Sequence, residues 1–241
     1  MIPSMLLASF VSSLIAADLS QPNVAAPCLD KRWFGKHNYL VSLVRQASQK
    51  PELDLYFLGD SITEFWPELG KDSWQREFGK LRVLNCGVSG DTTQNILYRI
   101  EHGEFDHITP KVVVLLAGIN NLGSSPGLQP GDLASGLQRI VATLRRKSPA
   151  SKILLLSIFP SSEPTDPIRG RTQATNLEIA KLADNANVFY LDIYGAFLDA
   201  NGVFPPSVSP DGLHLYAKGY QIWADAMRPT LQRLLDLAPS Q

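Results

Sequence analysis

A serine acting as a nucleophile needs three kinds of help. A base must take its proton, a second group must orient that base, and hydrogen-bond donors must meet the charge that develops on the substrate oxygen. This chain carries residues of each kind, widely separated in sequence. Ser61 follows Gly59-Asp60 at the end of the run Leu53-Asp54-Leu55-Tyr56-Phe57-Leu58. Its hydroxyl is the candidate nucleophile, and at a helix start its own N–H faces outward, free to bind an anion. Gly90, in Ser89-Gly90-Asp91-Thr92, offers an N–H with no side chain in the way. Asn120, in Gly118-Ile119-Asn120-Asn121, offers a neutral amide donor. His214 lies in a loop bounded by Gly and Pro, and an imidazole with a pKa of about 6.5 suits a general base near neutrality. Asp211, three residues earlier, can accept from the ring and fix its tautomer. The chemistry such a set performs is acyl transfer, with Ser61 N–H, Gly90 N–H and Asn120 as the oxyanion donors.

Each residue taken singly has an ordinary reading. Ser61 would be a helix cap, Gly90 a bend, Asn120 a turn residue, Asp211 a cap and His214 a surface or capping histidine. Their joint occurrence in this order carries the argument. A literal G-x-S-x-G string, Gly123-Ser124-Ser125-Pro126-Gly127, is a decoy. The residue after that motif's nucleophile must donate an N–H, and Pro126 has none. Asp192, ending the last strand, is kept as a structural or supporting residue.

Several elements must bring these residues together. Apolar runs predict strands at 53–58, Arg82–Cys86, Lys111–Ala117, Lys152–Ser157 and Val188–Leu191. Between them, helical periodicity covers Trp33–Ala47, a stretch after Thr93, a helix capped by Asp132, a helix including Asn176–Ala183, and a last helix carrying Tyr220, Trp223, Met227, Leu231 and Leu234. On the first of these, Tyr39, Leu40, Leu43 and Val44 share a face, and Pro229 is expected to kink or divide the last. Residues 67–80 read as a loop or short helix. Alternating strands and helices predict an α/β fold, a three-layer α/β/α sandwich on a parallel sheet with right-handed crossovers. Such a sheet places its ligand crevice at the carboxyl ends of the strands. Ser61, Gly90 and Asn120 each follow a different strand, so the fold itself would gather them.

The chain has 241 residues, 44% hydrophobic and 19% charged, with a formal net charge of −1. This fits a single domain over residues 31–241 and gives no basic field for nucleic acid or an anionic membrane. Met1–Ala17 is apolar and uncharged, with the length of a signal-peptide core, too short for stable membrane insertion. It points to an exported protein, periplasmic or secreted. The alternative is a retained N-terminal helix and a cytoplasmic location. Residues 18–30, with Pro22 and Pro27, read as a linker. Cys28 and Cys86 are read as unpaired, and no His/Cys cluster has metal spacing.

The four patches Gly59-Asp60-Ser61, Ser89-Gly90-Asp91-Thr92, Gly118-Ile119-Asn120-Asn121 and Asp211-Gly212-Leu213-His214 resemble, in order, the four signature blocks of the GDSL/SGNH hydrolase superfamily. Gly90-Asp91-Thr92-Thr93-Gln94, Tyr98-Arg99-Ile100 and the strand from Pro110 are similar to the platelet-activating-factor acetylhydrolase catalytic-subunit family. The resemblance implies a flavodoxin-like sheet of about five strands and the SGNH hydrolase fold. It also implies Ser61 as nucleophile, Gly90 and Asn120 as oxyanion donors, and His214 as base supported by Asp211. Metal and cofactor are not implied. Relatives often have Thr and Asp where this chain has Ile119 and Asn121, which bears on the bonding around Asn120.

The expected function is a serine esterase acting on short acyl esters, such as acetyl esters of a carbohydrate or small lipid, with a small-molecule substrate. Lysophospholipase, thioesterase or acyltransferase activity would use the same machinery. A non-catalytic carbohydrate- or lipid-binding module is the competing class. A homodimer is compatible with the acetylhydrolase resemblance. Trp66, Trp74, Ile119 and loop 160–168 are the candidates for lining the substrate pocket.

Overall fold

The computed structural model describes residues 18–50, 52–161 and 163–236. The signal-like segment 1–17 lies outside them, as does residue 162 of the loop 160–168. Five strands, β1 (Glu52–Gly59), β2 (Val83–Gly87), β3 (Thr109–Leu116), β4 (Lys152–Leu156) and β5 (Val188–Leu191), form one sheet in the order β2-β1-β3-β4-β5. All neighbouring pairs are parallel. This is the expected α/β sandwich. Leu55, Tyr56, Phe57 and Leu58 are fully buried, as are Val112, Val113 and Leu115, because helices cover both faces of the central strands.

The helices are α1 (Lys31–Ala47), α2 (Ser61–Glu64), α3 (Trp66–Leu69), α4 (Lys71–Phe78), α5 (Thr93–Glu101), α6 (Ile119–Ser124), α7 (Pro130–Lys147), α8 (Pro167–Ala180) and α9 (Ala217–Leu235). Helix α7 packs on α5 and α8, while α4 packs on α9, giving two helical layers. Several sequence-based expectations need correction. Helix α7 starts at Pro130, a favoured first-turn residue, so Asp132 sits in the first turn and not at the cap. Helix α8 begins at Pro167, capped by Asp166, and ends at Ala180. Leu177 on α8 and Tyr39 on α1 are exposed; the buried α1 residues are Trp33, His37, Leu40 and Val44. Helix α9 runs continuously through Pro229, with no second segment.

Trp66 is not a pocket residue. It is fully buried, its ring 4.2 Å from that of Trp223 and stacked on Tyr220 at 5.5 Å, with its indole N–H donating to Ser73 Oγ. Ile119 is also buried in the core. Trp74 is half-buried and packs on Phe57 and Phe78. This aromatic block fastens α9 beneath α2, and Tyr220 completes the link by donating its hydroxyl to the Ile62 carbonyl at 2.8 Å.

Residues 18–30 contain no helix or strand but are bonded along α5. Thr93 Oγ1 donates to the Pro22 carbonyl, Gln94 Nε2 to that of Asp18, and Asn95 Nδ2 to that of Ala26, whose N–H donates to the Gln94 carbonyl. Cys28 and Cys86 are free thiols, and burial pushes the Cys86 thiol up to about 12.

Candidate active site

The parallel register aligns Gly59 of β1 with Gly87 of β2 and with Leu116 of β3. The three loops that follow these strands therefore leave the sheet at one rim. A Cβ on Gly59 would lie 2.5 Å from the Leu116 carbonyl oxygen, so only glycine permits this approach. Asp60 then caps α2, accepting from the Ile62 N–H at 2.9 Å, and Ser61 is the first residue of the helix.

Ser61 Oγ lies 3.0 Å from His214 Nε2, and His214 Nδ1 lies 2.7 Å from Asp211 Oδ2. A carboxylate can only accept, so the ring proton belongs on Nδ1 and Nε2 is left to accept from the serine hydroxyl. Asp211 Oδ1 also accepts the N–H groups of Leu213 and His214, at 3.0 and 2.8 Å, which ties the Asp-Gly-Leu-His turn to its own carboxylate. Burial pushes the Asp211 carboxyl up, but the bonds from the His214 ring and these two N–H groups outweigh it and hold the group at about 2. It is thus ionised across the neutral range. The Phe65 ring lies 5.6 Å from that of His214. Asp192 does not join this set: it accepts the Tyr194 N–H and closes the turn after β5. The decoy serines stay out as well, with Ser124 ending α6 and Ser125 capping it.

Gly90 has φ +80°, a conformation that favours glycine, and lies on the exposed loop between β2 and α5. Asn120, in the first turn of α6, donates its side-chain N–H to the Asp91 carbonyl at 2.9 Å. Loops two and three of the rim are thereby joined. The Ile119 and Asn121 departures leave this joint complete. Asn121 is buried, accepts the Thr93 N–H at 3.0 Å and donates to Gln94 Oε1 at 2.9 Å.

Beneath the Gly90 loop lies a buried ionic cluster that the sequence reading missed. Asp91 accepts from Trp33 Nε1 at 2.6 Å and from Arg99 Nε at 2.7 Å. Arg99 also pairs with Glu104, which in turn meets His37 Nδ1 at 2.6 Å. Burial pushes the Asp91 carboxyl up to about 6, opposed chiefly by Arg99. Asp60 is fully buried too; burial, with Asp91 adding to it, raises its carboxyl to about 7 against the Ile62 N–H bond. The only sequence signal was the charged trio Asp91, Arg99 and Glu104, placed before, on and after the helix that carries Ile96, Leu97 and Ile100.

Among the described residues no group of His, Cys, Asp and Glu could hold a metal ion, and no helix is long and apolar enough to cross a membrane.

Comparison with known proteins places this geometry. Residues 57–222 match the GDSL-like lipase/acylhydrolase family. The chain is 32% identical over 213 residues to the alpha2 subunit of platelet-activating factor acetylhydrolase IB from Rattus norvegicus, covering 88% of this chain and 89% of that one. It is 32% identical over 207 residues to the alpha1 subunit from Pongo abelii, covering 86% and 85%. Among solved structures, a GDSL-like lipase from Bacteroides thetaiotaomicron superposes with a TM-score of 0.65 at 18% identity, over 82% of this chain and 98% of that one. An acetylxylan esterase from Geobacillus stearothermophilus superposes with a TM-score of 0.61 at 21% identity, over 78% and 97%. At such identities these two likenesses speak to the fold. Sequence match and rim geometry together make this chain a member of the GDSL-like lipase/acylhydrolase family, a carboxylic ester hydrolase.

Proposed function

We propose that the protein is a serine esterase for short acyl esters, in which Ser61 attacks the ester carbonyl and His214 Nε2 takes its proton. Asp211 holds the imidazole and stabilises the imidazolium that forms. The oxyanion is met by the N–H groups of Ser61 and Gly90 and by the second amide hydrogen of Asn120, each donor being worth roughly 3–4 kcal/mol of barrier. His214 then protonates the leaving alkoxide, and water releases the acyl group from Ser61. The observation that carries this reading is the unbroken chain from Ser61 Oγ to His214 to Asp211, at 3.0 and 2.7 Å.

The short acyl group is supported by the walls beside the site. Two clefts, of about 450 and 540 Å³, share Lys36 and Glu64; one reaches Ser89, beside Gly90, and the other reaches Phe65, beside His214. The cleft at Phe65 is walled largely by charged side chains, Lys36, Glu64, Glu68 and Lys71, while the cleft at Ser89 mixes Asp30, Arg32, Lys36 and Glu64 with Cys28, Trp33 and Val88. A long acyl chain gains about 0.8 kcal/mol per methylene only where it leaves water for apolar walls. Such walls suit a polar alcohol, as in an acetylated saccharide, better than an alkyl chain. The names of a relative and of a structural neighbour, platelet-activating factor acetylhydrolase and acetylxylan esterase, both specify an acetyl group, which supports the short acyl chain.

A series of p-nitrophenyl esters from acetate to palmitate tests the reading. The expected profile peaks at acetate or propionate. A maximum at long chains would overturn the short-acyl assignment in favour of a lipase or thioesterase. Absence of turnover on any ester by folded protein would favour a binding module.

A further inference from the structure

Gly90 has nothing packed in front of it: a Cβ built there would meet no heavy atom within 4 Å. Its N–H is therefore held in place by the residues on either side of it and not by packing. On the inner side, Asp91 is pinned by Trp33, Arg99 and Asn120. On the outer side, Ser89 is exposed, and both its N–H and its hydroxyl donate to Glu64 Oε2, at 2.7 and 2.6 Å. Glu64 is the last residue of α2, three positions after Ser61 on the same turn. Its other oxygen, Oε1, lies 2.8 Å from Lys36 Nζ on α1. Burial pushes the Glu64 carboxyl up, but the bonds from Lys36 and Ser89 outweigh it and keep the group below its usual range. It is thus an ionised acceptor on both oxygens.

We propose that Glu64 is a positioning residue that clamps the Gly90 loop to the helix bearing the nucleophile, so that the Gly90 N–H and Ser61 keep a fixed separation. The proposal rests on the reading of Ser61 and Gly90 given above. Two charge-assisted bonds to one residue fix both the position and the direction of the peptide that follows it. An oxyanion donor stabilises the transition state only if it is already in place, since reorganising it during reaction would cancel the gain. Glu64 touches no reacting atom in this scheme. Its loss should therefore fall on kcat, because the charge that Gly90 meets exists only in the transition state.

The test compares Glu64→Ala, Glu64→Gln and Ser89→Ala with wild type on p-nitrophenyl acetate. Thermal midpoints are measured alongside, with Ser61→Ala as the inactive reference. Glu64→Ala is expected to lose about tenfold in kcat with KM within about twofold. Glu64→Gln keeps an acceptor oxygen for Ser89 and is expected to recover most of that loss. Ser89→Ala keeps the N–H bond and is expected to lose less than Glu64→Ala, and the double variant should be no slower than Glu64→Ala alone. Unchanged kcat in Glu64→Ala, or a raised KM with kcat intact, would overturn the proposal. So would a kcat loss that Glu64→Gln does not relieve. If Ser61→Ala itself retained turnover, the reading of the nucleophile would fail instead, which keeps the two failures apart.

Discussion

Asn120 shows how much a single side chain is asked to do at this rim. A primary amide carries two N–H groups, and the bond to the Asp91 carbonyl uses one of them. That bond fixes the plane of the amide and so the direction of the second. Asn120→Ala removes a proposed oxyanion donor and the tie between two loops together. It is expected to lower kcat about 10²–10³-fold with little change in KM. Steady-state kinetics on p-nitrophenyl acetate check this, and a fall in kcat below threefold would contradict the assigned role. At this scale the sequence was informative. Ser61, Gly90, Asn120, Asp211 and His214 are ordinary residues singly, and it is their types taken together, in this order and after successive strands, that make the set noticeable. Trp66 was misread for the complementary reason. Nothing about an indole beside a serine motif says whether it faces a cleft or, as here, the rings of Tyr220 and Trp223.

Among the elements, strands were the easiest to read and the contacts between helices and loops the hardest. A β-branched run such as Val112–Val114 announces a strand buried on both faces from its own composition. The Arg99 cluster announces nothing of the kind. It assembles Trp33 and His37 from α1, Asp91 from a loop, Arg99 from α5 and Glu104 beyond it, and partners so far apart in sequence cannot be inferred from periodicity. Arg99 also donates to the carbonyls of Gly59 and Cys86, at 3.3 and 3.1 Å, so it grips the ends of β1 and β2 directly. Deleting one member of a buried ionic group costs more than the group contributes, because a charge is left without a partner. Arg99→Met is thus expected to lower unfolding stability by about 3–5 kcal/mol, read as a shift in the urea midpoint. A change under 1 kcal/mol would show that Asp91 and Glu104 are not the buried anions described. Tyr39 and Leu177 are exposed because each faces away from the buried side of its helix, formed by Trp33, His37, Leu40 and Val44 on α1 and by Arg169, Thr172, Thr175, Asn176 and Ile179 on α8.

For the whole molecule, the parallel sheet gathers the rim loops, and that convergence followed from the alternation of strands and helices alone. Two acids buried behind the rim give the folded state a pH dependence of known sign. Asp60 titrates near 3.8 ordinarily and near 7 when folded, so between these values the folded protein holds a proton that the unfolded chain has released. Its contribution to stability is fully present below about pH 4 and is lost as pH rises towards 7, beyond which it is flat. Asp91, raised to about 6, acts in the same direction over a narrower window. The thermal midpoint of wild type is therefore expected to fall more steeply between pH 4 and 7 than that of Asp60→Asn, which keeps an acceptor for the Ile62 N–H. Equal slopes in the two proteins would contradict the raised Asp60 carboxyl.

Covalent trapping of Ser61 tests its role as the nucleophile. The protein is treated with a p-nitrophenyl phosphonate, and the modified residue is located by peptide mass spectrometry. Turnover of p-nitrophenyl acetate is followed in the same samples and in Ser61→Ala. One phosphonyl adduct on Ser61 is expected, with loss of turnover in step with its formation, and neither adduct nor turnover in Ser61→Ala. An adduct on another residue such as Ser124 or Ser125, or sustained turnover in Ser61→Ala, would contradict that role.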